Sequence, residues 1–142
     1  MPKILLIHGP NLNLLGKREP AIYGSKKAVD LYEELCAQYP VKITYIQSNK
    51  ESDLVTIIQA ANWQYNGVLI NAGAYSHTSI AIADAIKSLT IPVINIHISN
   101  IEQRESFRHT DLLQAVCKGS IVGLGTDGYA LALECLLDLI ES

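Results

Sequence analysis

Three polar stretches carry the side chains of this 142-residue chain that could do chemistry, and each follows an apolar run. The first, from Gly9 to Gly24, holds Asn11, Arg18 and Tyr23. The second, Asn71 to Ser79, holds Asn71 and His77, and the third, Asn95 to Arg108, holds His97, Arg104 and Arg108. Connections between a strand and a helix usually take about 2–6 residues. The first stretch is far longer, and Leu12, Leu14, Leu15 and Ile22 within it suit a loop folded back over a pocket better than one lying in solvent. A phenol has a reference pKa of about 10, and a guanidinium within a few ångströms favours the phenolate, so Tyr23 near Arg18 has a physical reason to ionise. His97 is a candidate catalytic group, and an inward-pointing Arg104 or Arg108 would suit an anionic or polyhydroxylated ligand. Each residue also has a plainer reading. His97 could be a hydrogen-bonded core histidine, Tyr23 a packing residue, Arg104 and Arg108 a solvated helix face, and Asn71 a turn residue.

Other chemistries lack their residues. The four histidines show no HExxH or HxH spacing, so no metal site is expected. Neither Ser76 nor Ser99 sits in a GxSxG elbow, and Lys17 is the only lysine in the three stretches, so Schiff-base chemistry has no strong candidate. Gly123-Leu124-Gly125-Thr126-Asp127-Gly128 matches GxGxxG formally, but the chain ends before an acidic ribose partner about 20 residues on. Those glycines fit a tight turn and close helix–strand packing. Acid–base chemistry by Tyr, His, Arg and Asn, with no cofactor, is what remains.

Positioning such groups needs a scaffold, and the hydrophobic pattern supplies one. Ile4–Ile7, Val41–Ile46, Gly67–Ile70, Pro92–Ile96 and Ser120–Leu124 are continuous apolar runs, as in strands covered on both faces of a parallel sheet. Ala28, Leu31, Tyr32, Leu35 and Tyr39 follow a helical period, as do Leu54, Ile57, Ile58, Ala61 and Tyr65. A third helix is expected over Ser79–Ser88 and a last one from a cap at Thr126 or Asp127 to about Ile140. Alternating strands and helices with right-handed crossovers predict an α/β, flavodoxin-like three-layer sandwich, with sheet order 2-1-3-4-5 and the site beyond the carboxyl ends of the strands. No linker or repeat interrupts residues 1–142, which reads as a single domain. The last helix is apolar almost all round, which suits either another subunit or a deep position in the monomer.

Bulk composition agrees with a folded protein: 49% hydrophobic residues, 18% charged and a formal net charge of −3. The acidic balance without a basic run argues against nucleic acid, and no apolar segment is long enough to span a bilayer. No signal-peptide layout opens the chain, and Cys36, Cys117 and Cys135 read as reduced core thiols, so a cytoplasmic location is expected.

The motifs Gly9-Pro10-Asn11-Leu12-Asn13-Leu14-Leu15-Gly16, Arg18-Glu19-Pro20-x-x-Tyr23-Gly24, Gln47-Ser48-Asn49, Asn71-Ala72-Gly73-Ala74-Tyr75-x-His77-Thr78-Ser79, His97-Ile98-Ser99-Asn100 and Arg104-Glu105-x-Phe107-Arg108 stand in this order. With Gly123-Leu124-Gly125-x-x-Gly128-Tyr129, they make the chain resemble type II 3-dehydroquinate dehydratase over essentially its whole length. The resemblance implies anti elimination of water from 3-dehydroquinate through an enolate, giving 3-dehydroshikimate. It implies Tyr23 as base beside Arg18, Asn11 on the enolate and His97 as the acid for the departing hydroxyl. It further implies that Asn71 and the N–H groups of Ile98 and Ser99 hold the substrate carboxylate. His77, Arg108 and a neighbouring subunit's Asp84 would bind ring hydroxyls, and Arg104 would be a lid residue. Members are usually dodecamers of four trimers. Two departures stand out: Asn95 where the family has Glu, and Ala83 where an Arg is common. At the first, an Asn can keep a hydrogen bond but carries no negative charge to favour the imidazolium, so His97 is expected to be a somewhat weaker base and turnover to be reduced. A non-catalytic flavodoxin-like binder, for example of FMN, and an inactivated homologue are the rival readings.

Overall fold

The molecule, a computed structural model, describes residues 1–142. Five parallel strands, β1 (Lys3–His8), β2 (Lys42–Gln47), β3 (Gly67–Asn71), β4 (Val93–His97) and β5 (Gly119–Val122), form one sheet in the order β2-β1-β3-β4-β5. Between and after them lie α1 (Pro20–Tyr23), α2 (Ala28–Gln38), α3 (Glu51–Gln59), α4 (Ile80–Lys87) and α5 (Gly128–Glu141). This is the flavodoxin-like arrangement that the apolar runs predict.

The strands are apolar throughout because successive side chains enter different cores. In β1, Ile4 and Leu6 join Leu31 and Leu35 of α2 and Leu133 and Leu136 of α5 on one side of the sheet. Leu5 and Ile7 join Leu54 and Ile58 of α3 and Ile82 and Ile86 of α4 on the other. All four β1 residues are 0% exposed. Fully burying such a side chain stabilises the fold by about 1.5–3 kcal/mol.

Local chemistry sets the helix ends. The Ser79 hydroxyl accepts from the Ile82 N–H at 3.0 Å and starts α4 where the pattern places it. The second helix stops at Gln59, short of the expected face, and Ala61 is buried from a separate 3-10 turn (Ala61–Trp63). The last helix begins at Gly128, after a 3-10 turn over Gly125–Asp127. It lies across β3, β4 and β5 with Tyr129, Ala132, Leu133 and Leu136 fully covered, while Leu131 and Leu139 remain partly exposed. Among the cysteines, Cys135 is exposed and Cys36 and Cys117 are half-buried, so the expected core position fails for Cys135, which lies on the open side of α5. No helix is long and apolar enough to cross a membrane.

Pairing of His8 with Asn71 brings the ends of β1 and β3 level, at the point where strand order reverses. The loops leaving these strands pack on each other. Gly9 donates its N–H to the Asn71 carbonyl at 2.8 Å, and a Cβ on Gly9 would stand 2.2 Å from the Ala72 oxygen. Gly73 answers from the other loop with a φ of +59° against the Pro10 carbonyl. Such a crevice, outside the carboxyl ends and at the switch in strand order, is where open α/β sheets bind ligands.

Candidate active site

A cavity of about 170 Å³ occupies that crevice, walled by Pro10, Asn11, Arg18, Tyr23, Asn71, Gly73, Ala74, His77, His97, Ile98, Ser99, Ile101, Arg104 and Arg108. Every residue singled out from the three polar stretches is there. Asp84 is not: it lies exposed on α4, outside this wall. Drug-sized pockets run to about 300–1,000 Å³, so this one suits a small polar ring and leaves little room for a flavin nucleotide. Three arginines and two histidines line it with no Asp or Glu among the wall residues, which makes it a place for an anion. A larger depression of about 580 Å³ lies around Ile91, Pro92 and Lys118, where β4 and β5 begin, but no comparable set of acid–base groups converges there. No group of three or more His, Cys, Asp or Glu side chains gathers as a metal-ligand set.

The long first loop is built rather than slack. Leu12 and Leu15 are buried, whereas Leu14 and Ile22 are 40% and 41% exposed, so only two of its four large apolar residues anchor it. Asn11 and Glu19 adopt left-handed backbone angles, with φ of 70° and 41°, the latter just before the single helical turn of α1. Non-glycine residues in such angles cost energy and tend to mark functional loops. The Gln47-Ser48-Asn49 segment braces the loop: Gln47 Nε2 donates to the Gly9 carbonyl at 3.2 Å, and the Asn11 N–H donates to Asn49 Oδ1 at 3.1 Å.

Tyr23 stands between two cations. Arg104 Nη1 donates to its hydroxyl at 2.7 Å and also reaches Ser99 Oγ at 3.4 Å. The Arg18 guanidinium carbon lies 5.5 Å from the ring centroid, and that of Arg104 lies 5.4 Å away. The direct partner of the phenol oxygen is therefore Arg104, with Arg18 over the ring. Arg108 is fixed by Glu105, its Nε donating to Oε2 at 2.8 Å. That bond is the main influence holding the Glu105 carboxyl below its usual range.

At the end of β4 His97 is 6% exposed, its ring stacked 6.0 Å from that of His77. His77 donates from Nδ1 to the Thr110 carbonyl at 2.7 Å. His97 Nε2 lies 2.8 Å from Asp111 Oδ2, so a carboxylate that the motifs do not mark reaches the ring although position 95 holds no acid. Asn95 carries no charge, but its Nδ2 donates to the same Asp111 oxygen at 2.7 Å. Burial alone would raise the Asp111 carboxyl, yet the His97 hydrogen bond and charge, with donors from Asn95 and Leu113, outweigh it and hold the group below the ordinary carboxylate value.

Behind the cavity, Asn71 joins a buried chain. Its Nδ2 donates to Tyr129 Oη at 3.0 Å, its Oδ1 accepts from the Gly73 N–H at 3.1 Å, and one amide hydrogen stays free for a ligand. Tyr129 Oη lies 2.8 Å from His8 Nε2, and His8 Nδ1 lies 2.9 Å from Tyr45 Oη. The arrangement that leaves no donor idle has Tyr129 donating to Nε2 and His8 donating from Nδ1. His8 is then neutral, and burial does push its pKa down to about 3.

Asp111, Tyr129 and His8 are the residues that motif reasoning passed over. Asp111 follows Thr110 in a stretch with no recognisable spacing, and its contact spans 14 residues between strand and loop. Its one sequence signal is an acid placed just before apolar Leu112 and Leu113. Tyr129 and His8 sit inside matched motifs or beside them, but no spacing marks their part in a buried hydrogen-bond chain.

The family model described as Dehydroquinase class II matches residues 2–137. The chain belongs to the class II dehydroquinase family. A 3-dehydroquinate dehydratase of Bacillus pumilus is 49% identical over 140 residues, covering 96% of this chain and 95% of the relative. One of Exiguobacterium sp. is 49% identical over 138 residues, covering 96% and 94%. The crystal structure of the type II dehydroquinase from Butyrivibrio crossotus superposes with a TM-score of 0.91 at 43% identity, covering 96% of this chain and 97% of that one. As a class II dehydroquinase, the chain shares its fold and nearly its whole length with these relatives.

Proposed function

We propose that this chain is a hydro-lyase that removes water from 3-dehydroquinate to give 3-dehydroshikimate, with residues 1–142 as one catalytic domain working in the cytoplasm. The observation that carries the reading is the pairing, across one small cationic cavity, of a tyrosine hydroxyl held by Arg104 at 2.7 Å with a histidine held by a carboxylate at 2.8 Å. A base with cationic neighbours and an acid with an anionic one are what an elimination through an enolate requires.

In this scheme the Tyr23 phenolate takes the proton next to the ketone, and the electron pair moves onto the carbonyl oxygen as an enolate. Asn11 stabilises that charge. The enolate then collapses, the new carbon–carbon double bond forms, and the carbon–oxygen bond of the leaving hydroxyl breaks as His97 gives it a proton. Water leaves. Asn71, with the Ile98 and Ser99 N–H groups, takes the substrate carboxylate, and Arg108 and His77 take ring hydroxyls. Arg18 and Arg104 flank the phenolate, with Arg104 also closing the mouth. Asp84, exposed on α4 one turn from Ile80 (67% exposed), supplies a further contact to a neighbouring subunit's site in an assembly of four trimers.

Mixing purified protein with 3-dehydroquinate and following conjugated-enone absorbance tests the proposal. A rise that survives EDTA and borohydride and that falls about 10²–10⁴-fold in both Tyr23→Phe and His97→Ala supports it. Saturable binding with a flat trace in the wild-type protein overturns it.

A further inference from the structure

We propose that Asp111 is the positioning residue for His97, and that it works as the charged half of a carboxylate–amide pair whose neutral half, Asn95, lies on β4. As a statement about turnover this rests on the reading above; as a statement about the His97 ring it rests on geometry alone.

The Asp111 side chain is 2% exposed, and its carboxylate is saturated by protein donors. Oδ2 takes His97 Nε2 at 2.8 Å and Asn95 Nδ2 at 2.7 Å, while Oδ1 takes the Leu113 N–H at 3.0 Å. Leu113 itself is 0% exposed, so the carboxylate is tied to the core rather than to a mobile tip. Asn95 also donates to Ser120 Oγ at 3.3 Å, and its Oδ1 is buried with no partner. Turning the amide over would set that oxygen against a carboxylate oxygen, so the orphaned carbonyl is the cost of keeping a donor on Asp111.

Two consequences follow for His97. With a carboxylate on Nε2, the neutral ring carries its proton there, which leaves Nδ1 as the only nitrogen able to exchange a proton with a ligand in the cavity. The same carboxylate offsets the positive charge of the imidazolium, the form that must donate to the leaving hydroxyl. Asn95 and His97 are two apart on one strand, so their side chains share a face. Position 95 is therefore a second place from which a longer acid could reach the ring, and the charge should be exchangeable between the two positions.

The full-length protein and four variants, Asp111→Ala, Asp111→Asn, Asn95→Glu and Asn95→Glu/Asp111→Ala, test this through kcat and KM for 3-dehydroquinate and through the ¹⁵N NMR spectrum of the His97 ring. We expect Asp111→Ala to lose about 100-fold or more in kcat with KM held within about threefold. Asp111→Asn, the isosteric variant, should keep the wild-type circular dichroism spectrum and still lose about tenfold or more. The double variant should recover at least about tenfold over Asp111→Ala, and Asn95→Glu alone, with two acids on one ring, should not exceed the wild type. The neutral His97 ring should be Nε2-protonated in the wild type and the double variant, and a tautomer mixture in Asp111→Ala. Asp111→Ala with kcat within about threefold of wild type, or an Nδ1-protonated ring in the wild type, overturns the positioning role. A double variant no better than Asp111→Ala overturns the exchange between positions. Should the wild type not turn over 3-dehydroquinate at all, the proposed function fails, and the ring spectrum still decides the role of Asp111.

Discussion

Tyr23 and Arg104 are 81 residues apart, yet a 2.7 Å hydrogen bond joins them. This contact is where residue-level reading of the sequence reached its limit. Arg18 and Tyr23 share a loop, so their proximity could be inferred from spacing; Arg104 arrives from a different strand end, and only the fold makes it the direct donor to the phenol oxygen. The consequence is measurable. Arg104→Ala should lower kcat by about 10–100-fold, because the developing charge at Tyr23 loses its only direct donor among the three arginines. Millimolar guanidinium ion should restore part of the rate. Arg104→Lys should fall between, keeping the charge while losing the planar guanidinium whose Nη1 reaches both Tyr23 and Ser99. If Arg104→Lys equals the wild type in kcat, the planar donor is irrelevant. Asp111 marks the same limit. An acid outside every motif supplies the partner that Asn95 could not, because charge is placed by three-dimensional contact and not by sequence position.

At the scale of elements, the sheet and its order were legible because continuous apolar runs such as Ile4–Ile7 have few other uses than a doubly covered strand. Strand boundaries moved by a residue or two, and α3 ends at Gln59 without reaching Tyr65, since caps and 3-10 turns depend on hydrogen bonds that periodicity does not record. Leu14 and Ile22 were misleading, as hydrophobicity in a loop shows that something is anchored but not which side chain anchors it. The crossing of the β1 and β3 loops yields a sharp test. Gly9→Ala would drive its Cβ to 2.2 Å from a backbone oxygen, which no side-chain motion can relieve. The variant should be destabilised by about 2 kcal/mol or more in urea unfolding, with catalytic activity lost in the fraction that folds. Tyr129→Phe, in α5, keeps the ring but removes the hydroxyl on which Asn71 and His8 converge. Leaving these buried groups unpaired should cost about 1–3 kcal/mol and raise KM more than it lowers kcat, as read from urea midpoints and steady-state kinetics.

For the whole molecule, the buried histidine sets how stability responds to acid. His8 is held near 3 by burial, against an ordinary value of 6.5. Between those values the unfolded chain binds a proton that the folded chain refuses, so stability falls as pH drops from about 6.5 towards 3, at up to about 1.4 kcal/mol per pH unit. Asp111 acts in the same direction but lower: its depressed carboxyl stabilises the fold above the ordinary carboxylate range, and that contribution is lost as pH falls through its folded value. Urea midpoints measured at pH 7, 5.5 and 4.5 should decline in the wild type, and more gently in a folded His8→Gln variant. Equal slopes in the two would show that His8 does not govern the response. The chain of hydrogen bonds from Tyr45 through His8 and Tyr129 to Asn71 has a further consequence for how this fold can diversify. The Asn71 amide proposed to take a ligand's carboxylate is the outer end of a polar thread that runs along the α5 face of the sheet, through Tyr129 of the last helix to His8 of β1 and Tyr45 of β2. A change of ligand preference at Asn71 cannot be made at the cavity wall alone. It forces compensating changes at residues that never meet the ligand, so new specificities at this position are reached through the interior.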